Sequence, residues 1–417
     1  MIILAYILSA ISLLMSILLI VNLKSPLGVL VWFPKLAAGA LSPIWALMGA
    51  AGTVIGLIYG AFWALPMGII GAGTMFFYLW RCIRDHNGFE EALGSGWEDQ
   101  LPPESVRKMV QKRRMWFLNM KASPDPICER DIQFWTVPGT DRQLLCDVWR
   151  PADGDVSGLG FIYFHGSGWY LFDKDLGTRP FFRHLVAQGH TVMDVAYRLC
   201  PEVDIYGMIE DVQRAIVWMK AEASHYGVDA EKIVLGGGSA GGHLALLEAY
   251  APGHPELTPD DLKSADLSVR GVISYYGPTD LLAMYQHTNQ HIFVDQPPVL
   301  IGPDSKKSMH DAGRLDVLLG GHPQEVPDMY QLASPPTHIH PDCPPTLLFH
   351  GNHDVLVPAE ATSALYKKLV RAGVPTINVI FPWTEHGFDL IFPQINPAAQ
   401  SALFDVDRFL ALLLNKV

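Results

Sequence analysis

The chain has 417 residues, 49% of them hydrophobic and 17% charged, with a formal net charge of −12. An acid excess of that size, with no basic stripe beyond one short segment, excludes a nucleic-acid-binding protein. The five cysteines, Cys82, Cys128, Cys146, Cys200 and Cys343, are odd in number and widely spaced, which argues against a disulfide framework and allows a reducing compartment.

In chain order, the first feature is Ile2 to Asn22, 21 residues without a charge. At ~1.5 Å per residue they reach the ~30 Å of a bilayer core. A second uncharged stretch, Ala37 to Trp80, is long enough for two crossings, with Pro66 a little past its middle. The expected membrane region is therefore 1–85, with three helices over about 2–22, 40–61 and 65–82. The alternatives are a cleaved signal peptide for the first, which lacks a basic n-region and a small-residue cleavage site, and a re-entrant or interfacial hairpin for the pair. Lys24 and Lys35 flank the first loop, and Arg81 and Arg84 flank the last helix. The positive-inside tendency then puts the N-terminus outside and the globular domain after residue 125 in the cytoplasm. Gly52, Gly56 and Gly60 recur every fourth residue, which lets helices pack closely in lipid. The sequence leaves open whether they close the hairpin or mediate a homodimer.

Residues 86–125 switch from apolar to charged and read as an amphipathic linker or cap. Arg107, Lys108, Lys112, Arg113 and Arg114 alternate with Met109, Val110, Met115, Trp116, Phe117 and Leu118 after Pro102 and Pro103. Such a helix suits an anionic membrane surface or a cap over a site, and one helix could do both.

The globular domain is expected over 126–417. Ile132 to Val137 and Leu144 to Trp149 read as a hairpin. Strands near 161, 191, 233, 271, 346 and 377 then alternate with helix-length segments, the pattern of a mostly parallel α/β sheet with helices on both faces. Phe161 to Phe164 runs into His165, Gly166, Ser167, Gly168 and Trp169, where small residues let bare N–H groups approach a reacting carbon. Ile233 to Leu235 runs into Gly237, Gly238, Ser239, Ala240 and Gly241, a G-x-S-x-G turn opening a helix. Thr346 to His350 leads to Asp354, and Ile377 to Phe381 leads to His386. The expected catalytic residues are Ser239 as nucleophile, His386 as base and Asp354 as its orienting acid, in the chain order Ser, Asp, His. The amides of Gly166, Ser167 and Ala240 are the expected oxyanion hole. Leu281 to Pro345 has no room in the sheet, and its first part, with Met284, Tyr285, Ile292, Phe293 and Val294, reads as a lid or pocket wall.

From about Phe161 onward the chain resembles the α/β-hydrolase superfamily, in particular its hormone-sensitive-lipase-like esterase branch. The residues that carry the resemblance are HGSGW at 165–169, DVAYRLCPE at 194–202, GGGSAGGHLA from Gly236, and the loops GNHDVLVP and EHGFD. Ser167 stands where that family usually has glycine; the amide survives, but a side chain narrows the hole. The family pattern places His165 behind the hole as a structural residue.

Other polar residues carry less. Asp280 in YYGPTD reads as a turn former, although it is a substitute candidate for the acid. Glu210 and Asp211 open a helical pattern as structural residues, and His243 reads as a packed, hydrogen-bonded histidine. His287, His291, His310, His338 and His340 form no metal-ligand pattern, so neither metal nor other cofactor is expected. The function expected is that of a membrane-anchored hydrolase acting on a small-molecule carboxylic ester, lipids included, through an acyl-enzyme. An amidase or formamidase, as in the similar kynurenine formamidases, uses the same triad. A non-catalytic membrane-tethered interaction domain is the alternative from another class.

Overall fold

The computed structural model describes the chain except for residues 24–25, 115–124, 153, 167, 292–313 and 416–417. Eight strands form one sheet: β1 (Ile127–Thr136), β2 (Gln143–Arg150), β3 (Gly158–Phe164), β4 (Thr191–Val195), β5 (Val228–Gly238), β6 (Gly271–Tyr275), β7 (Thr346–Gly351) and β8 (Thr376–Phe381). Their spatial order is β1-β2-β4-β3-β5-β6-β7-β8. β2 is antiparallel to both β1 and β4, and the six strands from β4 to β8 run parallel. β1 and β2 are the expected hairpin, and the parallel strands fall where the apolar runs lie.

The parallel strands read as unbroken apolar runs because helices cover both sheet faces. One core packs Phe164, Met193, Leu235 and Leu348 against the helices Ile205–Ala221 and Ala240–Tyr250. The other packs Phe161, Val234, Ile273 and Phe349 against the helix Pro397–Leu413. Every parallel strand therefore points its carboxyl end at the same edge, where open α/β sheets bind ligands.

The chain opens with four helices: α1 (Ile2–Ile20), α2 (Pro26–Ala40), α3 (Ser42–Tyr59) and α4 (Ala64–Ile83). α2 occupies what the sequence reading treats as a loop. Lys24 and Lys35 bound the loop in that reading, but Lys35 lies inside α2, and Pro26 takes the first helical position, where a missing N–H costs nothing. Pro34 is tolerated inside the helix. Of the three expected crossings, α1 and α3 are long and apolar enough to span a membrane. α4 is long enough but does not meet the same measure of apolarity.

α1, α3 and α4 pack closely on one another. A Cβ on Gly52 would lie 2.5 Å from Ser9 Oγ, and one on Gly56 would lie 3.2 Å from Ala64 Cβ. Both glycines are thus used inside the bundle, whereas Gly60 takes the left-handed conformation that ends α3 (φ 75°).

The expected basic amphipathic helix does not form as drawn. A helix ends at Lys108, and Met109 to Arg114 continue without one. Two of the cations, Lys108 and Arg114, are matched by carboxylates, while Arg107, Lys112 and Arg113 are exposed. Arg114 is buried, 2.8 Å from Asp405 and 3.2 Å from Asp85, and Lys108 reaches Asp155 at 2.5 Å. Gln111 adds bonds to Gln400 and Asp407. The segment is thereby strapped to the C-terminal helix. Met115 to Leu118 lie outside the described residues.

Candidate active site

Ser239 sits on the turn between β5 and the helix Ala240–Tyr250 with φ 52° and ψ −122°. A non-glycine residue holds such a conformation only where its surroundings impose it. Here they do: a Cβ on Gly241 would lie 1.9 Å from Phe164 O, and one on Gly237 would lie 2.4 Å from the Gly241 carbonyl carbon. Bare backbone on both sides lets strand and helix close this tightly. Between Ile233 and Tyr250, Ser239 alone is not fully buried.

Gly166 follows β3 and lies against the turn. A Cβ there would meet Gly238 O at 3.0 Å and Ser239 Cβ at 3.3 Å. Ala240 is the first residue of its helix, so its N–H has no partner within the helix. Ser167 lies outside the described residues. His165 is buried behind the turn, its ring stacked 4.6 Å from that of Tyr197, and burial pushes its pKa down to about 4. His243 is also buried, between Trp169 Nε1 at 3.2 Å and Ala333 O at 2.8 Å, with its pKa pushed down to about 4 by burial. A neutral ring that accepts at Nδ1 and donates at Nε2 satisfies both bonds.

β7 and β8 end in register, Gly351 opposite Phe381. Asp354 and His386 lie on the loops just beyond, and His386 Nδ1 is 2.8 Å from Asp354 Oδ2. The other carboxylate oxygen accepts from the N–H groups of Leu356 at 2.9 Å and Val357 at 2.8 Å. His350 Nε2 stands 3.1 Å from Oδ2. Burial alone would raise the Asp354 carboxyl, but the His386 charge and the bonds from His350 and His386 outweigh it and hold it below the usual range. Tyr276, at the end of β6, places its ring 4.3 Å from that of His386. Its hydroxyl lies 3.3 Å from where a Cβ on Gly238 would be, so one side chain touches both His386 and the serine turn. That hydroxyl donates to Asp389, whose carboxyl is pushed up to about 6, by burial first, against the lowering effect of that bond.

The bland readings of the other polar residues fit their contacts. Asp280 Oδ1 accepts from Ala283 N at 2.9 Å, at the start of the helix Leu281–His291. Asp211 is held by Arg198 at 2.9 Å; burial raises its pKa to about 6 despite that pairing. The lid reading is described only as far as this helix, whose His287 stands 2.9 Å from Val355 O. Ile292, Phe293 and Val294, and also His310, lie outside the described residues. Among the described residues no three His, Cys, Asp or Glu side chains group as metal ligands.

Five residues near this site are given no role there by the sequence reading: Trp32, Lys35, Tyr276, Glu385 and Asp389. Trp32 Nε1 donates to His386 O at 2.9 Å, and Lys35 pairs with Glu385 in a fully buried contact. Lys35 carries a signal that could reveal it, because it is the one charge in a 15-residue apolar helix.

The sheet order, the strained serine turn and the Asp354 and His386 loops together define an α/β-hydrolase fold. Residues 146–369 match the BD-FAE family, and the chain belongs to it. Among similar proteins of Mycobacterium tuberculosis (strain ATCC 25618 / H37Rv) are the probable carboxylic ester hydrolase LipM and the esterase LipQ. LipM is 30% identical over 64% of this chain and 57% of its own length. LipQ is 28% identical over 73% of this chain and 69% of its own. The chain thus spans little more than half of LipM. Two solved structures share the fold. The butyrate-bound esterase Est2 of Thermogutta terrifontis is 25% identical, with a TM-score of 0.53 over 69% of this chain and 94% of its own. Esterase B of Lactobacillus rhamnosis is 24% identical, with a TM-score of 0.54 over 70% and 87%.

Proposed function

We propose that this protein is a membrane-anchored serine hydrolase that cleaves carboxylic esters through an acyl-enzyme on Ser239. The observation that carries the reading is the conformation of Ser239 at a sheet edge that also presents a buried His386–Asp354 pair. With Nδ1 engaged by Asp354, His386 keeps Nε2 as the proton acceptor. Ser239 Oγ attacks the ester carbonyl carbon while His386 takes its proton, and the amides of Gly166, Ser167 and Ala240 bind the resulting oxyanion. Collapse breaks the bond to the alcohol oxygen, which leaves with the proton from His386. Water, deprotonated by His386, then attacks the acyl carbon and releases the acid and the serine. The names of LipM, LipQ and Est2 support an ester as the substrate.

The anchor reading rests on how α1, α3 and α4 distribute side chains. Ala5, Ser9, Ser12, Ala46, Gly49 and Ala72 are buried, while Leu14, Leu47, Val54, Leu57, Ile69 and Phe76 face outward. Small residues inside and large apolar ones outside suit a lipid surround, where close backbone approach holds helices together. Phe62 and Trp63 cap the far end of the bundle, 74% and 76% exposed, as interfacial aromatics do. α2 extends this surface beside the site: Leu27, Leu30 and Phe33 face outward on the helix that contacts the His386 loop. A lipophilic ester drawn from the bilayer is the substrate class this arrangement favours. Arg81 and Arg84 at the catalytic end of α4 support a cytoplasmic catalytic domain through the positive-inside tendency. Lys35 is spent in a buried ion pair, which sets α2 on the catalytic side but adds no free charge.

The test is turnover of p-nitrophenyl esters from acetyl to palmitoyl by the detergent-solubilised full chain and by Ser239→Ala. Turnover that peaks at longer chains and vanishes in the variant is expected. A peak at acetyl would remove the lipid part of the proposal, and equal turnover in the variant would remove the nucleophile.

A further inference from the structure

A lysine costs several kcal/mol to bury unless a partner neutralises it. Lys35 is 2% exposed on a helix with no other charge, and its partner, Glu385, is 3% exposed and immediately precedes His386. The second oxygen of Glu385 accepts at 3.1 Å from the N–H of Val355, immediately after Asp354. One carboxylate therefore joins three parts of the chain: α2, the base loop 382–388 and the acid loop 352–357. Burial pushes the Glu385 carboxyl up, and the ammonium of Lys35 opposes that push.

Lys35 does not act alone. Residues 28, 32 and 35 are spaced four and three apart, so they share one face of α2. At Gly28 a Cβ would lie 2.9 Å from the Val355 side chain, so the helix meets the acid loop there with bare backbone. One turn on, Trp32 Nε1 donates to the carbonyl of His386 itself. α4 braces the same loop from a second direction. Tyr78 Oη is 3.1 Å from Thr384 Oγ1, and the Tyr78 and Phe77 rings lie 6.4 and 5.7 Å from that of Trp383.

We propose that α2 is a positioning element for the catalytic pair, with Lys35 acting through Glu385 and Trp32 through the main chain of His386. The proposal rests on the assignment of His386 and Asp354 as base and acid. It gives the N-terminal helices a role beyond attachment: the loop that carries the base is held in place by residues 350 positions earlier in the chain. Neither Lys35 nor Trp32 is a catalytic residue, because each acts through another group.

The test uses the full chain in detergent with p-nitrophenyl butyrate, kcat being expressed per site titrated with a fluorophosphonate. Trp32→Phe removes the indole N–H and keeps an aromatic ring. One lost hydrogen bond should lower kcat per site about fivefold with KM within twofold. Lys35→Met leaves Glu385 buried without its partner and should lower kcat about tenfold or more, with Lys35→Arg recovering most of the loss. A purely structural role would lower yield or Tm while each titrated site kept its wild-type kcat. If Lys35→Met does not fold, Trp32→Phe decides. The proposal is overturned if kcat per site stays within twofold of wild type in Trp32→Phe and in any folded Lys35→Met. If Ser239→Ala still turns over the ester, the triad assignment has failed instead.

Discussion

In the sheet domain the largest fully buried side chains are apolar, Phe161, Phe164, Phe349 and Phe381 among them, and most of the charge faces water. In the bundle of α1, α3 and α4 the buried positions include alanine, serine and glycine, and Leu57, at 71% exposed, faces outward. Under the anchor proposal one chain follows two packing rules. Water drives large apolar groups together in the sheet domain. In a bilayer that drive is absent, and helices cohere through van der Waals contact between backbones that small residues bring close. The interior of the bundle is also polar in places, since Ser16 Oγ returns a 2.8 Å bond to Leu13 O and Thr53 Oγ1 bonds Gly49 O at 2.8 Å. The two regions meet at the base loop, where aromatic and charged side chains make the contact.

The difference can be broken from either side. On the catalytic side the largest effect is expected from Asp354→Asn, which keeps the shape of the loop but removes the charge that orients the His386 tautomer. It should lower kcat about 10³–10⁴-fold and leave the thermal midpoint of the bundle unchanged, read from steady-state ester turnover beside a thermal melt. On the bundle side, Gly71→Leu puts a side chain where a Cβ already lies 2.6 Å from Ser12 Oγ and 2.7 Å from Leu13 N. It should destabilise the bundle by about 1–3 kcal/mol, measured by thermal unfolding in detergent micelles.

The sheet and its edge are legible in the sequence because each signal is local. Apolar runs mark β3 to β8, and the serine turn, the Asp354 loop and the His386 loop each follow a strand within a few residues. The 2.8 Å pairing of Asp354 with His386 follows from that placement. What escapes the sequence is set by long-range contact. Lys35 looks like a loop cation until the chain brings Glu385 to it, and Arg114 looks like part of a solvated stripe until Asp405 arrives from the C-terminal helix. Local pattern cannot distinguish a charge that meets water from one that meets a partner 290 or more residues away. Tyr276 is hidden for a different reason: its strand reads as core, and only its positive φ of 41° at the strand end marks it as special.

The central claim, a nucleophilic Ser239 at a membrane-anchored site, is tested most directly by covalent labelling. Membranes containing the full chain would be treated with a fluorophosphonate, and the modified peptide mapped by mass spectrometry. The account predicts one adduct, on the peptide carrying Ser239, in the membrane fraction and absent from Ser239→Ala. An adduct on another residue, or labelling that persists unchanged in the variant, would contradict it.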